Sequence, residues 1–277
     1  MINRRTAIPA PAAAPALGAP GAVVGSAPGA ADLYSSNTVL YADPALVEGV
    51  DYRRRHRRRG IDAPGAQVVQ GPQDRSASSR TTVIAPHGGG IERGTSELCL
   101  AAAGYHPADL APTPPAGPVH DFWMFEGLRS SGNSALHVTS THCDDAVARA
   151  LCSGSLNVLS LHGCTTATAG LEAGARAVLV GGLNSTLRQY LMEEFAAVRI
   201  RAVNVSDEKE FAGLDPENIC NRSSLGMGAQ LELTTELRTA MITPGMSTRV
   251  HMLPLFWSFT TAARTAIQRL ETTQPIP

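Results

Sequence analysis

The sequence predicts an α/β fold: a single domain on a mixed, mostly parallel sheet with helices on both faces. Three observations carry this. Short apolar runs alternate with helix-like segments from residue 81 onward, the pattern of strands joined by helical crossovers. Several of the runs are apolar throughout, as strands covered on both faces are. Two of them, Val83-Ile-Ala-Pro-His-Gly-Gly-Gly90 and Asn157-Val-Leu-Ser-Leu-His-Gly163, close on histidine and glycine. In parallel sheets, sites form beyond such carboxyl ends.

Taken in order, Met1 to Ala31 stands apart. Paired Arg4 and Arg5 precede an Ala-, Gly- and Pro-rich stretch ending in Gly29-Ala-Ala31. This is the outline of a twin-arginine export signal and predicts a secreted or periplasmic protein. Prolines at 9, 11, 15, 20 and 28 oppose a helical middle, so a disordered tail on a cytoplasmic protein is the alternative. The catalytic domain is assigned to 32–277. Arg53 to Arg59 is a dense cationic run, read as a solvated edge strand whose charges discourage edge pairing. Gly60 to Arg80 reads as a polar surface loop. Thr82 to Ala85 is a buried strand, and Thr95 to Ala103 a helix capped near Thr95 or Ser96. Asp121 to Gly127 is an aromatic strand or loop, and Leu136 to Ser140 has strand periodicity. Asp144 to Cys152 is helical, Asn157 to Leu161 and Arg176 to Gly182 are strands. Leu187 to Ala197 is a helix, Val198 to Val205 and Gln230 to Thr234 are strands, and Phe259 to Glu271 is a closing helix.

Composition excludes several classes. The 277 residues carry a formal net charge of -1, which gives nucleic-acid binding no support. Five cysteines without CxxC spacing argue against a disulfide framework or a thiolate zinc site. No apolar run reaches the roughly 18 residues of a membrane span.

The chemistry concentrates at His87, Glu92 and His162. Imidazole and carboxylate are both ligands of a catalytic zinc, which keeps three protein ligands and one open position. The glycines after His87 let the backbone turn so that Glu92 can return to the same point. Capping or core roles are the bland alternatives. His106, His120, His137 and His142 compete for the third place but lack the strand-end and glycine setting.

The segments Asp32-Leu-Tyr-Ser-Ser36, Ile84-Ala-Pro-His-Gly-Gly-Gly-Ile-Glu-Arg-Gly-Thr-Ser-Glu97, Leu136-His-Val-Thr-Ser-Thr141, Leu161-His-Gly163, Val180-Gly-Gly-Leu-Asn184, Asn218-Ile-Cys-Asn-Arg222 and Gly228-Ala-Gln-Leu-Glu-Leu233 occur in this order. Together, over roughly residues 32 to 240, they resemble the poly-γ-glutamate hydrolase family, whose bacterial members are often described as phage-related replication proteins. The resemblance implies a zinc carboxypeptidase-like fold and a zinc-dependent hydrolase of γ-glutamyl amides in a polyanionic polymer. It implies His87, Glu92 and His162 as zinc ligands and Glu232 as general base, with Glu236 as the fallback. Four residues separate the first two ligands where zinc carboxypeptidases have two, and Cys143 stands where relatives tend to carry a bulkier aromatic.

A γ-glutamyl substrate carries free carboxylates, so the site should present arginine. Arg222 is the candidate clamp, with Arg93 and Arg129 behind it, and a surface salt bridge is its alternative; Asn184 is expected at the site's mouth or, equally, in a turn. Two other functions compete. One is a cysteine hydrolase using Cys164 with His162. The other is a phage- or DNA-associated protein binding through Arg53 to Arg59.

Overall fold

The computed structural model describes residues 32–58, 80–113, 118–205, 211–243 and 251–275. Its centre is a seven-stranded sheet of β1 (Tyr52–Arg57), β2 (Thr81–Gly89), β3 (Asp121–Gly127), β4 (Asn157–Cys164), β5 (Ala177–Gly181), β6 (Arg201–Asn204) and β7 (Ala229–Thr234). The spatial order is β1-β3-β2-β4-β7-β5-β6. Strands β3, β2, β4 and β7 are mutually parallel, and so are β5 and β6. Only β1 on β3 and β5 on β7 pair antiparallel. The helices are α1 (Asn37–Tyr41), α2 (Thr95–Ala102), α3 (Ala146–Ser153), α4 (Ser185–Ala197), α5 (Thr235–Met241) and α6 (Pro254–Thr273); β8 (Ile242–Thr243) and β9 (His251–Met252) form a small separate ribbon. A single α/β domain with a mixed, mostly parallel sheet is what the sequence predicts.

Side chains alternate across a strand, so each strand splits its residues between two cores. Val83, Ala85, Leu159, Leu161, Leu231 and Leu233 face α2, α4, α5 and α6, where Phe195, Phe256 and Phe259 fill the space. Ile84, Trp123, Phe125 and Val158 face α1 and α3. By the same alternation Ser160, His162, Gln230 and Glu232 fall on the α1/α3 side. The late strand therefore turns Leu231 and Leu233 away from Glu232, as its sequence suggests.

One irregularity in β2 matters for everything that follows. Its register on β3 shifts between Ala85 and Gly88, where Pro86 and His87 together oppose Phe125 alone. Pro86 has no N–H to give the ladder, and one extra residue inverts the alternation. Without this bulge His87 would share the face of Val83 and Ala85 and enter the large core. With it, His87 joins His162. Just beyond, Gly89 sits at φ 63° and a Cβ there would lie 2.4 Å from the Gly127 carbonyl oxygen, so only glycine can close this strand.

Most other elements lie where the sequence places them. Leu136 to Ser140 does not form a strand. Asn133–Leu136 and Ser140–His142 are 3-10 turns, because polar groups here bond to side chains: the Thr139 N–H donates to Asp32 and the Val138 carbonyl accepts from His87. The α2 cap is Gly94 rather than Thr95 or Ser96, and Ser96 Oγ accepts the Gly89 N–H instead. The cationic run is an edge strand through Arg57, with Arg53 and Arg55 facing Glu126 and Arg54 facing Glu48 and Asp145. Arg59, nearly all of the 60–80 loop and the export-signal segment lie outside the described residues. Among the described residues no helix is long and apolar enough to cross a membrane.

Candidate metal centre

His87, Glu92 and His162 converge. Ligand atoms of all three lie within 4.8 Å of one another, and all three residues are buried. The bulge delivers His87, β4 delivers His162 beside β2, and the glycine turn brings Glu92 back, closed by the Glu92 N–H donating to the His87 carbonyl at 2.9 Å. Glu97, not Glu92, is the acid in the first turn of α2.

Hydrogen bonding fixes which nitrogens face inward. His87 Nε2 stands 2.9 Å from the Val138 carbonyl oxygen, which can only accept, so Nε2 carries a hydrogen. His162 Nε2 is 2.8 Å from Ser160 Oγ and 3.4 Å from Ser140 Oγ. That leaves His87 Nδ1 and His162 Nδ1 facing each other at 3.1 Å, with Glu92 Oε1 3.1 Å from His87 Nδ1. The two ring nitrogens and the carboxylate oxygen thus point at one another, an arrangement that a cation between them would satisfy. Ligand atoms about 2.0–2.1 Å from a tetrahedral zinc are about 3.3 Å apart; two of the separations here are 3.1 Å, and His162 Nδ1 stands 3.9 Å from Glu92 Oε2. Both imidazoles are also held from behind, by a carbonyl and by a serine, the outer support that metal-binding histidines generally have. The donor set therefore fits zinc.

The electrostatics agree. Burial works against charge on His87, yet the Glu92 carboxylate and the Val138 carbonyl outweigh it and leave its pKa raised. Burial and the neighbouring His87 charge hold His162 down at about 3. Burial opposes ionisation of Glu92, but His87, His162 and His137 overcome it and bring its pKa to about 2. An ionised carboxylate and a neutral imidazole are what a metal requires. Glu92 Oε2 also accepts the Gly163 N–H at 2.8 Å.

Glu232 stands beside this cluster. It is the register partner of His162, is buried, and accepts a 3.0 Å bond from Gln230 Nε2. Gln230 is itself fixed by Asn218 Nδ2 at 2.9 Å. Glu236 lies in the first turn of α5, with Thr166 Oγ1 3.5 Å away.

Asn184 and Arg222 are not brought to the cluster. Asn184 follows β5, which runs antiparallel to β7, so its carboxyl end lies at the opposite end of the sheet. There its side chain caps α4 through the Leu187 N–H. Arg222 precedes β7, on the same far side, and its guanidinium pairs with Glu217. Two exposed arginines at the metal-facing end are Arg93, next to Glu92, and Arg176, which leads into the start of β5. Arg129, also at this end, is paired with Asp51.

Two groups at the cluster are ones to which the sequence reading gives no role: His137, weighed as a third ligand and set aside, and Asp32. The His137 ring lies on His87 with centroids 3.9 Å apart, and its Nδ1 is 2.7 Å from Asp32 Oδ1. Asp32 accepts the Thr139 N–H as well, at 2.6 Å. No local signal marks this contact, which spans more than a hundred residues. Cys164, in contrast, is ill suited to catalysis. Burial and the Glu232 charge push its thiol well above the ordinary range, and both nitrogens of His162 face other groups.

The model of the poly-gamma-glutamate hydrolase family matches residues 70–253. The chain is 35% identical over 162 residues to the SPbeta prophage-derived protein YoqZ of Bacillus subtilis, covering 58% of this chain and 52% of that protein. It is 32% identical over 167 residues to YndL of the same organism, covering 60% and 58%. The chain thus spans little more than half the length of these curated relatives. Among solved structures it is similar to a bacteriophage poly-gamma-glutamate hydrolase, with 28% identity and a TM-score of 0.69, covering 88% of this chain and 100% of the other. A zinc-free structure of YndL matches with 27% identity and a TM-score of 0.67, covering 86% and 98%.

Proposed function

This chain belongs to the poly-gamma-glutamate hydrolase family, and from that premise we propose that it is a zinc-dependent hydrolase of γ-glutamyl amide bonds in a carboxylate-rich polymer. The observation that carries the reading is the meeting of His87 Nδ1, His162 Nδ1 and a Glu92 oxygen at zinc-ligand spacing. Bound there, zinc would polarise the scissile carbonyl and lower the pKa of an attacking water toward about 7.

The remaining work falls to the chain's own residues. Glu232, held by Gln230, takes the proton of the attacking water and returns it to the leaving nitrogen as the amide bond breaks. Its place on a rigid strand beside His162 supports this role, since a base must sit within reach of the proton it moves. The loop of His137 and Val138 covers His87 and keeps bulk water off that side of the site. Arg93 and Arg176 stand at the same end of the sheet and suit the substrate's free carboxylates better than Arg222 does. The twin-arginine outline of the first residues supports export to where such polymers are met. The test is metal analysis of the purified protein followed by assay on poly-γ-glutamate with and without a chelator. Loss of cleavage on chelation and recovery on adding zinc are expected, with indifference to thiol alkylation. The reverse pattern would restore the cysteine mechanism.

A further inference from the structure

Arg238, on α5, is a buried arginine that none of the chemistry above uses. Its bonded partners are oxygens of a particular kind. Nη1 donates to the Arg93 carbonyl at 2.7 Å, Nε to the Leu233 carbonyl at 3.2 Å, and Nη2 to the Cys164 carbonyl at 3.5 Å and to Thr235 Oγ1 at 3.2 Å. Arg93 follows Glu92, Leu233 follows Glu232, and Cys164 lies two residues after His162. One planar guanidinium thus reaches the backbone of three segments that come from β4, β7 and the turn after β2. Those segments carry two of the three metal-facing side chains and the proposed base.

The plane of the guanidinium also lies flat on Gly163. A Cβ at that position would stand 2.5 Å from Arg238 Cζ and 2.8 Å from its Nε and Nη2. Gly163 in turn gives its N–H to Glu92. The glycine is required on this account: it is squeezed between the arginine and the carboxylate. A fixed fork of five donors is suited to bridging several acceptors at once, and a lysine ammonium, a compact point charge, is not.

We propose that Arg238 is a positioning residue of the metal centre, a guanidinium clamp that sets the spacing of Glu92, His162 and Glu232 by holding the carbonyls beside them. The inference rests on the metal reading of the site given above. It assigns Arg238 no contact with substrate and no part in proton transfer.

The test compares Arg238→Gln and Arg238→Lys with the wild type by amide hydrogen exchange in the metal-free protein and by zinc affinity in competition with a chelator. The expected result is exchange at least tenfold faster in segments 87–93 and 162–165 but unchanged in 219–229 at the far end of the sheet. Zinc affinity should fall by about 10–100-fold, the usual effect of removing outer support from a metal site, with the lysine variant intermediate. On poly-γ-glutamate, kcat should drop while KM holds. If Arg238→Gln does not fold, Gly163→Ala leaves the arginine in the chain and displaces it, and should give the same local pattern. A uniform rise in exchange over the whole sheet, or none, overturns the clamp. A wild type that takes up no zinc would sink the proposed function instead, and the exchange pattern would still decide the clamp.

Discussion

Three side chains define the centre, and each can be questioned alone. Replacing His87 by alanine removes one of the two facing nitrogens. Zinc content and cleavage should disappear together, with affinity down by more than the roughly 10–100-fold that outer partners command. Glu232→Gln should behave differently, keeping its zinc while kcat falls by about 10²–10⁴-fold, the usual worth of a general base. Full turnover in that variant would show that the base lies elsewhere, with Glu236 the next to try. The candidate ligand triad was legible in the sequence because each member sits in a setting that local residues define: an apolar run ending in histidine, or a glycine turn. Arg238 was not, because its partners are backbone carbonyls and every residue has one. The contact of Asp32 with His137 was not either, since only the folded chain brings the two together.

Among the elements, β5 teaches most about what a sequence withholds. Its apolar composition and closing glycines announce a strand, and the rule that sites gather at carboxyl ends then points to Asn184. The rule presumes a direction. β5 runs against β7, and nothing local encodes that, so Asn184 caps a helix at the wrong end. Arg222 is misplaced for the complementary reason, since it enters β7 from its amino end. The helical layer behind the sheet is a separate matter from the chemistry. Phe259 of α6 is fully buried and stacks on Phe195 with centroids 4.7 Å apart. Phe259→Ala should cost about 3–5 kcal/mol in denaturant unfolding of the metal-free protein. Zinc affinity of the folded fraction should not change, because the centre lies across the sheet. A matching loss of zinc affinity would mean that the two faces are coupled.

For the whole molecule the decisive quantity is the distribution of charge rather than its sum. The net charge of -1 offers a polyanion no general attraction. Exposed Arg93 and Arg176 lie at the metal-facing end, while Arg222 lies at the other and is already neutralised by Glu217. Arg93→Gln and Arg176→Gln should each raise KM on poly-γ-glutamate more than on a small neutral amide, and should flatten its dependence on salt, since exposed charges act within a Debye length of about 10 Å at 0.1 M. Arg222→Gln should leave KM unchanged. An equal rise in all three variants would mean that the polymer is gathered by diffuse charge and not at the mouth of the centre.

The doubled position opposite Phe125 carries a consequence of its own. Loss of the single codon for Pro86 would bring the imidazole directly after Ala85, opposite Phe125 in a regular ladder and still on the face of His162; it is a chain that keeps Pro86 but pairs without the bulge that would turn the imidazole among the leucines. Part of the information in this candidate centre is therefore a register rather than a side chain, and the zinc content of a Pro86-deleted variant measures it: retention is expected, and loss would mean that the bulge does more than choose the face.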